Sequence, residues 1–238
     1  PLWRTVKGGS KEYVKRLADS YKESIRFEKV SAIRRKVDGV EIKNYKDEIE
    51  NFDHVVIATH ADEAFLLLED PSPREKDLLS SWKYTRNQAV LHNDYNLMPK
   101  RKRVWSSWNF IANGKPDRDE KVCLTYWMNR LQNIPESKPL FVTLNPGEVI
   151  MDEAIISEHE YTHPYFDTNA LESQKNLWDI QGINRTWFCG SYFGYGFHED
   201  GLQSGLAVAE QLGGLSRPWN TVDENDRIIV KSPNQVAA

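Results

Sequence analysis

One stretch constrains the fold more than any other: FCGSYFGYGFHEDGLQSGLAVAEQLG, residues 188–213. It predicts a short apolar strand from Thr186 to Cys189, then a glycine-rich turn, then an amphipathic helix that starts at Gly201. Glycine at a helix start lets a ligand approach the main chain, and the free N–H groups of the first turn favour negative or dipolar groups. The stretch therefore predicts a small-ligand site, although the same pattern also occurs in simple tight connections. The predicted apolar stripe of the helix contains Leu202, Leu206, Ala209 and Leu212.

A second stretch predicts a strand of a parallel sheet. Residues 55–58, VVIA, are apolar without alternation, which is typical of a strand buried on both faces. The strand is predicted to end at Thr59-His60, and a helix to begin near Ala61. Such a strand is typical of a parallel α/β sheet.

The remaining elements are predicted from periodicity and turn residues. Ser10 is a plausible N-cap for a helix from Lys11 to about Tyr21 that carries Tyr13, Val14 and Leu17 on one face. Residues 30–42 predict a hairpin closed by a type I′ turn at Asp38-Gly39. The aromatic-rich middle, about residues 71–165, predicts further strands in NQAVLHNDYNLMP, RVWSSWNFIA and KVCLTYWMNRLQ. Four aromatic residues there are interpreted as sheet core or, alternatively, as a pocket lining: Trp105, Trp108, Tyr126 and Trp127.

Composition excludes several classes of function. The chain has 238 residues, 39% of them hydrophobic and 28% charged, which fits a globular protein. A net charge of −4 does not indicate a nucleic-acid binder, and PKRKR at 99–103 is interpreted as a solvated loop. With only Cys123 and Cys189, a reducing, cytoplasmic compartment is expected. No apolar run approaches the roughly 20 residues of a membrane helix.

Four stretches, in order, resemble the FAD-dependent amine oxidoreductase superfamily. They are TVKGGSKEYVKRL, FEKVSAIRRKVDGVEI, FDHVVIATHADEAF and the bend GYGFHEDGLQSG, at 5–17, 27–42, 52–65 and 194–205. The sequences VTLNP, HPYFD and GYGFHEDGLQSG are most similar to those of a bacterial group of NAD/FAD-binding proteins. The resemblance covers most of residues 2–215.

This resemblance implies a two-domain flavoprotein of the amine-oxidase type, of class α+β or α/β. Residues 1–60 and 185–215 would belong to a partial FAD-binding domain, residues 61–184 to a mixed-sheet substrate domain, and residues 216–238 to a C-terminal tail. The chain has no G-x-G-x-x-G fingerprint, which the family carries in an N-terminal Rossmann segment. We therefore expect the chain to be a fragment whose partner is that segment, and to bind FAD poorly by itself.

The resemblance also implies cofactor-binding residues. The family's strand pair places Val30 at the adenine, and Gly190 follows the last strand close to the ribityl-pyrophosphate. An acid usually follows that glycine to bind the ribityl chain, whereas this chain has Ser191 and Tyr192. The turn whose N–H groups face the pyrimidine carbonyl of the flavin is matched by Glu199, Asp200, Gly201 and Leu202.

Tyr195 and His198 are the candidate catalytic residues, because an imidazole titrates near neutrality and both side chains are expected at the flavin face. The alternative is that Tyr195 packs in the bend and His198 bonds a neighbouring loop. His92 is expected to be structural. His159 and His163 resemble a metal pair only if they lie on a helix, and Pro164 argues against one, so no metal is expected.

The implied function is an FAD-dependent oxidoreductase that takes a hydride from an apolar, lipid-like substrate. Gln88 stands where many amine oxidases have a lysine, and Tyr192 and Phe193 stand where some members bind flavin covalently, which favours noncovalent FAD and weakens the amine-oxidase alternative. A lipid substrate would bring the protein to a membrane surface. The alternatives are a non-catalytic ligand-binding or subunit-contact domain and a family fold with a decayed site.

Overall fold

The computed structural model describes residues 4–110, 123–222 and 224–231. The ends of two predicted strands, residues 111–112 and 121–122, and parts of the predicted tail, residues 223 and 232–238, lie outside these ranges. The helices are α1 Lys11–Ala18, α2 Ala61–Leu67, α3 Pro73–Leu79, α4 Met128–Gln132, α5 Thr168–Gln174 and α6 His198–Gly213. The strands are β1 Val30–Arg35, β2 Val40–Asn44, β3 Ile49–Phe52, β4 Val55–Ile57, β5 Lys83–His92, β6 Trp108–Phe110, β7 Leu124–Trp127, β8 Phe141–Leu144, β9 Ile155–Tyr165 and β10 Thr186–Phe188. Within the described ranges, no helix combines the length and apolar character needed to cross a membrane.

The chain forms two compact units. Unit 1 comprises Pro1–Ile25 and Arg86–His163, and unit 2 comprises Arg26–Thr85 and Pro164–Ala238. The domain boundaries predicted from the sequence stay a prediction.

Unit 1 contains most of a five-stranded sheet with the order β6-β7-β8-β5-β9. β7 pairs antiparallel with β6 and β8, and β8 with β5. A polar chain crosses this sheet inside the protein: His92 Nε2 lies 2.8 Å from Thr143 Oγ1, which lies 2.8 Å from Thr125 Oγ1. All three residues are fully buried, so the chain satisfies polar groups that burial would otherwise leave unpaired.

The packed-core interpretation holds for Trp105 and Trp127 among the four aromatic residues. Trp105 packs edge-to-face on Trp127 and Phe141, with ring centroids 5.2 and 5.9 Å apart, as a core cluster does. Trp108 is instead 47% exposed.

Helix α1 has no buried residue, and the side chains of Tyr13, Val14 and Leu17 are exposed.

In unit 2, β1, β2 and β3 form an antiparallel sheet in which the predicted hairpin is present. The predicted type I′ turn is wrong. Val37 and Asp38 are the central residues, closed by the Lys36 N–H bond to the Gly39 carbonyl at 2.8 Å, and neither has the positive φ that type I′ needs. Gly39 is required for another reason: a Cβ there would lie 2.8 Å from the Phe52 carbonyl oxygen on β3.

The second sheet of unit 2 is the parallel pair β4 and β10, in register from Val55↔Thr186 to Ile57↔Phe188. Val55 and Ile57 are buried in the core, with 8% and 3% exposure, but Val56 is 42% exposed. The prediction that this strand is buried on both faces is therefore wrong for the structure described, in which only one face of β4 is covered.

Helix α6 buries a different face from the one predicted. Leu202 is 56% exposed, whereas Gln203, Ser204, Ala207 and Val208 are buried. Ser204 and Gln203 tolerate burial because both are hydrogen-bonded, to the turn after β10 and to the segment that follows α6. Polar residues that pack against loops replace the expected leucine stripe.

A buried ion pair holds the hairpin of unit 2 to α3. The Arg35 side chain on β1 is 2% exposed and binds both oxygens of Glu75, at 2.6 and 3.1 Å. Glu75 also accepts from the Ser72 N–H at 2.7 Å, which closes a capping box at the start of α3. With its partners present, neither buried charge is left uncompensated.

Candidate functional site

The candidate site lies where the parallel strands of unit 2 end. Thr59 follows β4 and Gly190 follows β10, so both lie at the carboxyl edge of the pair. A Cβ at Gly190 would lie 3.4 Å from the Thr59 carbonyl oxygen and 2.7 Å from the Tyr192 ring. Gly190 also has φ +157°, so this close crossing of two loops needs glycine. Ligands of open α/β sheets bind at such a carboxyl edge.

A cavity of about 630 Å³ lies along β4 at this edge. Its lining includes Val30, Ser31, Ala58 and Thr59, together with Glu63 at the first turn of α2. The structure therefore places Val30, the residue predicted at the adenine, in the same cavity as the carboxyl end of β4. The volume falls in the range of small-molecule and cofactor sites, about 300–1,000 Å³.

Ser204 fixes Gly190 against α6. Its hydroxyl accepts the Gly190 N–H at 3.0 Å and lies 3.1 Å from the carbonyl oxygens of both Gly190 and Gly201, to one of which it donates. The N–H of Gly190 is therefore already committed inside the protein. Ser191 is half-buried, and its carbonyl accepts from the N–H groups of Gly194 and Gly196, each at 3.1 Å.

The first turn of α6 presents few of its amides. The N–H groups of Asp200 and Gly201 donate to the Phe197 carbonyl at 3.1 and 3.3 Å. The first two N–H groups of this turn are those of His198 and Glu199. Any closeness of Gly201 to a ligand therefore comes from its missing side chain, since a Cβ there would meet only Ser191 N, at 3.8 Å.

The side chains around this turn divide into exposed and buried groups. Tyr195 is 66% exposed, and His198, Glu199 and Leu202 also face solvent. Asp200 is fully buried: its carboxylate accepts the Phe197 N–H at 2.7 Å and binds Arg227 Nε at 2.7 Å. Asp200 therefore shapes the turn instead of facing outward from it.

Tyr192 lies in the core of unit 2. It is 2% exposed, its ring lies 4.9 Å from that of Phe193 and 5.6 Å from that of Trp82, and its hydroxyl has no hydrogen-bond partner among the described residues. Burial raises the pKa of Tyr192 well above its ordinary value. Any cofactor contact from this residue has to come from its backbone.

Tyr84 supports the other side of the carboxyl edge. Its hydroxyl accepts the Ala61 N–H at 3.0 Å, and its ring stacks on His60 with centroids 4.3 Å apart. Burial raises the pKa of Tyr84 to about 12, so the phenol stays protonated at neutral pH. It fixes the turn between β4 and α2.

Two further predictions concern unit 1. Gln88 lies on β5, and its amide donates to Glu158 on β9 at 3.2 Å. His159 and His163 lie on β9, where residues four apart along a strand are about 13 Å from each other. They cannot share one metal ion.

Three residues of this region were not predicted from the sequence: Gln203, Ser204 and Arg227. Gln203 and Ser204 lie in QSG, whose polar side chains are typical of an exposed helix face, and only their four-residue spacing from Glu199 and Asp200 connects them with the bend. Arg227 lies in DENDRII, which looks like a solvated tail. No local pattern identifies a partner 27 positions away.

The residues present fit the adenine end of an FAD molecule better than its pyrophosphate. The cavity at Val30 and Thr59 offers apolar walls and backbone groups for a flat base. Ser191 provides a hydroxyl where the family carries an acid. The described residues do not include a phosphate-binding glycine fingerprint.

Comparison with protein families gives a match over the first part of the chain. The model of the family "Flavin containing amine oxidoreductase" matches residues 1–97. This match contains three of the four stretches on which the resemblance was based, so the resemblance is confirmed for that part of the chain. It also supports FAD as the cofactor. No curated protein matches the chain in sequence.

Solved structures extend the likeness to the fold of most of the chain. Wild-type putrescine oxidase bound to putrescine aligns with TM-score 0.60 and 12% identity, over 87% of this chain and 53% of that one. Reduced UDP-galactopyranose mutase aligns with TM-score 0.59 and 12% identity, over 97% and 55%. A fatty acid isomerase from P. acnes that produces CLA aligns with TM-score 0.53 and 13% identity, over 77% and 47%. The predicted fold class is confirmed, and the chain spans about half the length of these structures.

Proposed function

From the premise that this chain carries part of the flavin-containing amine oxidoreductase fold, we propose that it is the later part of an FAD-dependent oxidoreductase. Unit 2 contributes Val30, the carboxyl edge of β4 and β10, and the start of α6 to noncovalent FAD. Unit 1 is proposed to belong to the substrate domain. The observation that carries the proposal is the cavity of about 630 Å³ that unites Val30 with the end of β4.

FAD, when bound, accepts a hydride from the substrate. The task of this chain is to orient the cofactor: Gly190 lets the loops after β4 and β10 cross closely, and the partial positive charge of the α6 N-terminus favours negative charge nearby. His198 and Tyr195 are exposed at that helix start and are our candidates for proton movement and substrate contact.

The substrate is proposed to be apolar and lipid-like. Gln88, bound to Glu158, replaces the lysine that many amine oxidases carry, which weakens the case for an amine. An amine oxidase is the second candidate, and the likeness to putrescine oxidase is the observation that favours it. We further propose a cytoplasmic protein that reaches a membrane surface only to meet a lipid substrate.

The test begins with flavin content. The natural polypeptide, with whatever precedes residue 1, should purify yellow and release FAD on denaturation. Ala58→Trp should weaken FAD binding at least roughly tenfold, because Ala58 is exposed in the cavity and an indole would occupy it. Ala209→Trp is the matched control, since Ala209 is exposed on α6 and does not line the cavity.

A colourless natural polypeptide would contradict the proposal and favour a non-catalytic binding domain. If the protein is yellow, anaerobic mixing with acyl substrates and with amines separates the two oxidoreductase candidates. Bleaching of the flavin by amines alone would assign the amine-oxidase activity.

A further inference from the structure

The segment after α6 packs onto unit 2. Within residues 224–231, Ile228 is only 8% exposed, and Lys231 forms an ion pair with Asp179. Gln211 on α6 donates to the Lys231 carbonyl at 3.0 Å. We call residues 224–231 the strap. It packs along α6 instead of extending into solvent.

Arg227 connects this strap to the start of α6. Its Nε and Nη2 lie 2.7 and 3.3 Å from the two oxygens of Asp200, whose side chain is fully buried. The same carboxylate accepts the Phe197 N–H at 2.7 Å. One buried carboxylate therefore links the strap to Phe197, the residue that precedes α6.

Gln203 makes a second connection from the same helix face. Its amide nitrogen donates to Asp226 at 3.3 Å, and its amide oxygen accepts the Arg227 N–H at 3.2 Å. The backbone and the side chain of Arg227 are thus held by two different residues of α6.

The bend is packed beneath this contact. A Cβ at Gly194 would overlap the Asp200 carboxylate and lie 2.8 Å from the Arg227 carbonyl oxygen. The Arg227 guanidinium carbon also lies 5.1 Å from the Tyr195 ring centroid and 5.6 Å from that of Phe197, within cation–π range. Both rings are otherwise exposed, at 66% and 64%, so the guanidinium limits the positions they adopt.

We propose that Arg227 is a positioning residue of the flavin site. It pairs with the buried Asp200 carboxylate, and through Asp200 it holds residues 194–197 and the first turn of α6 in one conformation. This inference rests on the proposed function, because the flavin is the ligand for which residues 194–197 would be held in place. The site would then depend on a residue of the strap that follows its last helix.

The experiment uses the natural polypeptide with Arg227→Gln, Arg227→Lys and, as matched control, Arg34→Gln. Arg34 is a fair control because its Nε also lies 2.7 Å from a carboxylate, that of Glu69, on an exposed surface away from the bend. Arg227→Gln should weaken FAD binding at least roughly tenfold and change the visible circular dichroism of the flavin that remains. Arg227→Lys, which keeps the charge but loses the planar fork, should recover part of both. Arg34→Gln should match the wild type.

Hydrogen exchange supplies a readout independent of flavin. Without flavin, the amides of residues 197–201 should exchange faster in Arg227→Gln than in Arg34→Gln. If the wild type holds FAD while Arg227→Gln retains its affinity, flavin dichroism and exchange rates, Arg227 has no positioning role. If the wild type binds no FAD, the proposed function fails and this inference fails with it; that result is distinct because it appears before any variant is compared.

Discussion

At the scale of single residues, His92 shows how burial fixes a protonation state. Asp94 N–H donates to its Nδ1 at 3.2 Å, so the ring proton lies on Nε2 and is donated to Thr143 at 2.8 Å. If Nδ1 carried the proton, its N–H would face the Asp94 N–H, and both groups would be donors. Burial lowers the pKa of His92, and the nearby Asp94 carboxylate offsets this only in part.

The sign of the pH effect follows from that shift. Because the folded-state pKa lies below the unfolded value of about 6.5, the unfolded chain binds more protons as pH falls through this range. The His92 contribution is therefore complete above about pH 6.5 and is lost as pH falls toward the folded pKa. We expect His92→Gln to lower the free energy of unfolding at pH 7.5 by about 1–3 kcal/mol and to flatten its decline between about pH 6.5 and 5. Urea titrations at each pH measure both, with the exposed His159→Gln as control; an unchanged slope would contradict the assignment.

At the scale of elements, alanine substitutions at two glycines of the same stretch should change stability in opposite directions. Gly194→Ala places a Cβ against Asp200 and Arg227, and should destabilise unit 2 by about 1–3 kcal/mol. Gly205→Ala lies within α6 where a Cβ meets nothing within 4 Å, and should stabilise it by about 0.5–1 kcal/mol. Thermal unfolding of the two variants beside the wild type measures the difference. Equal shifts of the same sign would show that the bend is not packed as described.

The same elements show what the sequence can and cannot predict. The strand at 55–57, the hairpin, and the order strand, turn, helix after Thr186 were predictable because apolar runs and glycines act locally. The buried face of α6 was not, because Gln203 and Ser204 are buried only through bonds to distant backbone. The location of the site at the glycine-rich bend stays a prediction, and the pairing of Asp200 with Arg227 depends on a contact that no local pattern encodes.

At the scale of the whole molecule, the exposed face of β4 is the feature that most needs an explanation. A parallel sheet is ordinarily covered on both faces, yet here it has two strands, and Val56 is 42% exposed beside the cavity. The structures that share this fold are about twice as long as this chain. Under the proposed function, the remainder of the FAD-binding domain covers β4 and completes the cavity.

This account predicts that one substitution has two different effects. In the chain described here, Val56→Lys should change the free energy of unfolding by no more than about 0.5 kcal/mol, as surface substitutions do. In the natural polypeptide it should destabilise by several kcal/mol and reduce FAD content, because the new ammonium group would be buried without a partner. Val37→Lys, at a position 99% exposed in the hairpin turn, should be neutral in both. Urea unfolding of each variant beside its own wild type, with released FAD measured for the natural polypeptide, tests this account. If Val56→Lys is as harmless in the natural polypeptide as in the chain described here, β4 is uncovered there and the account is wrong.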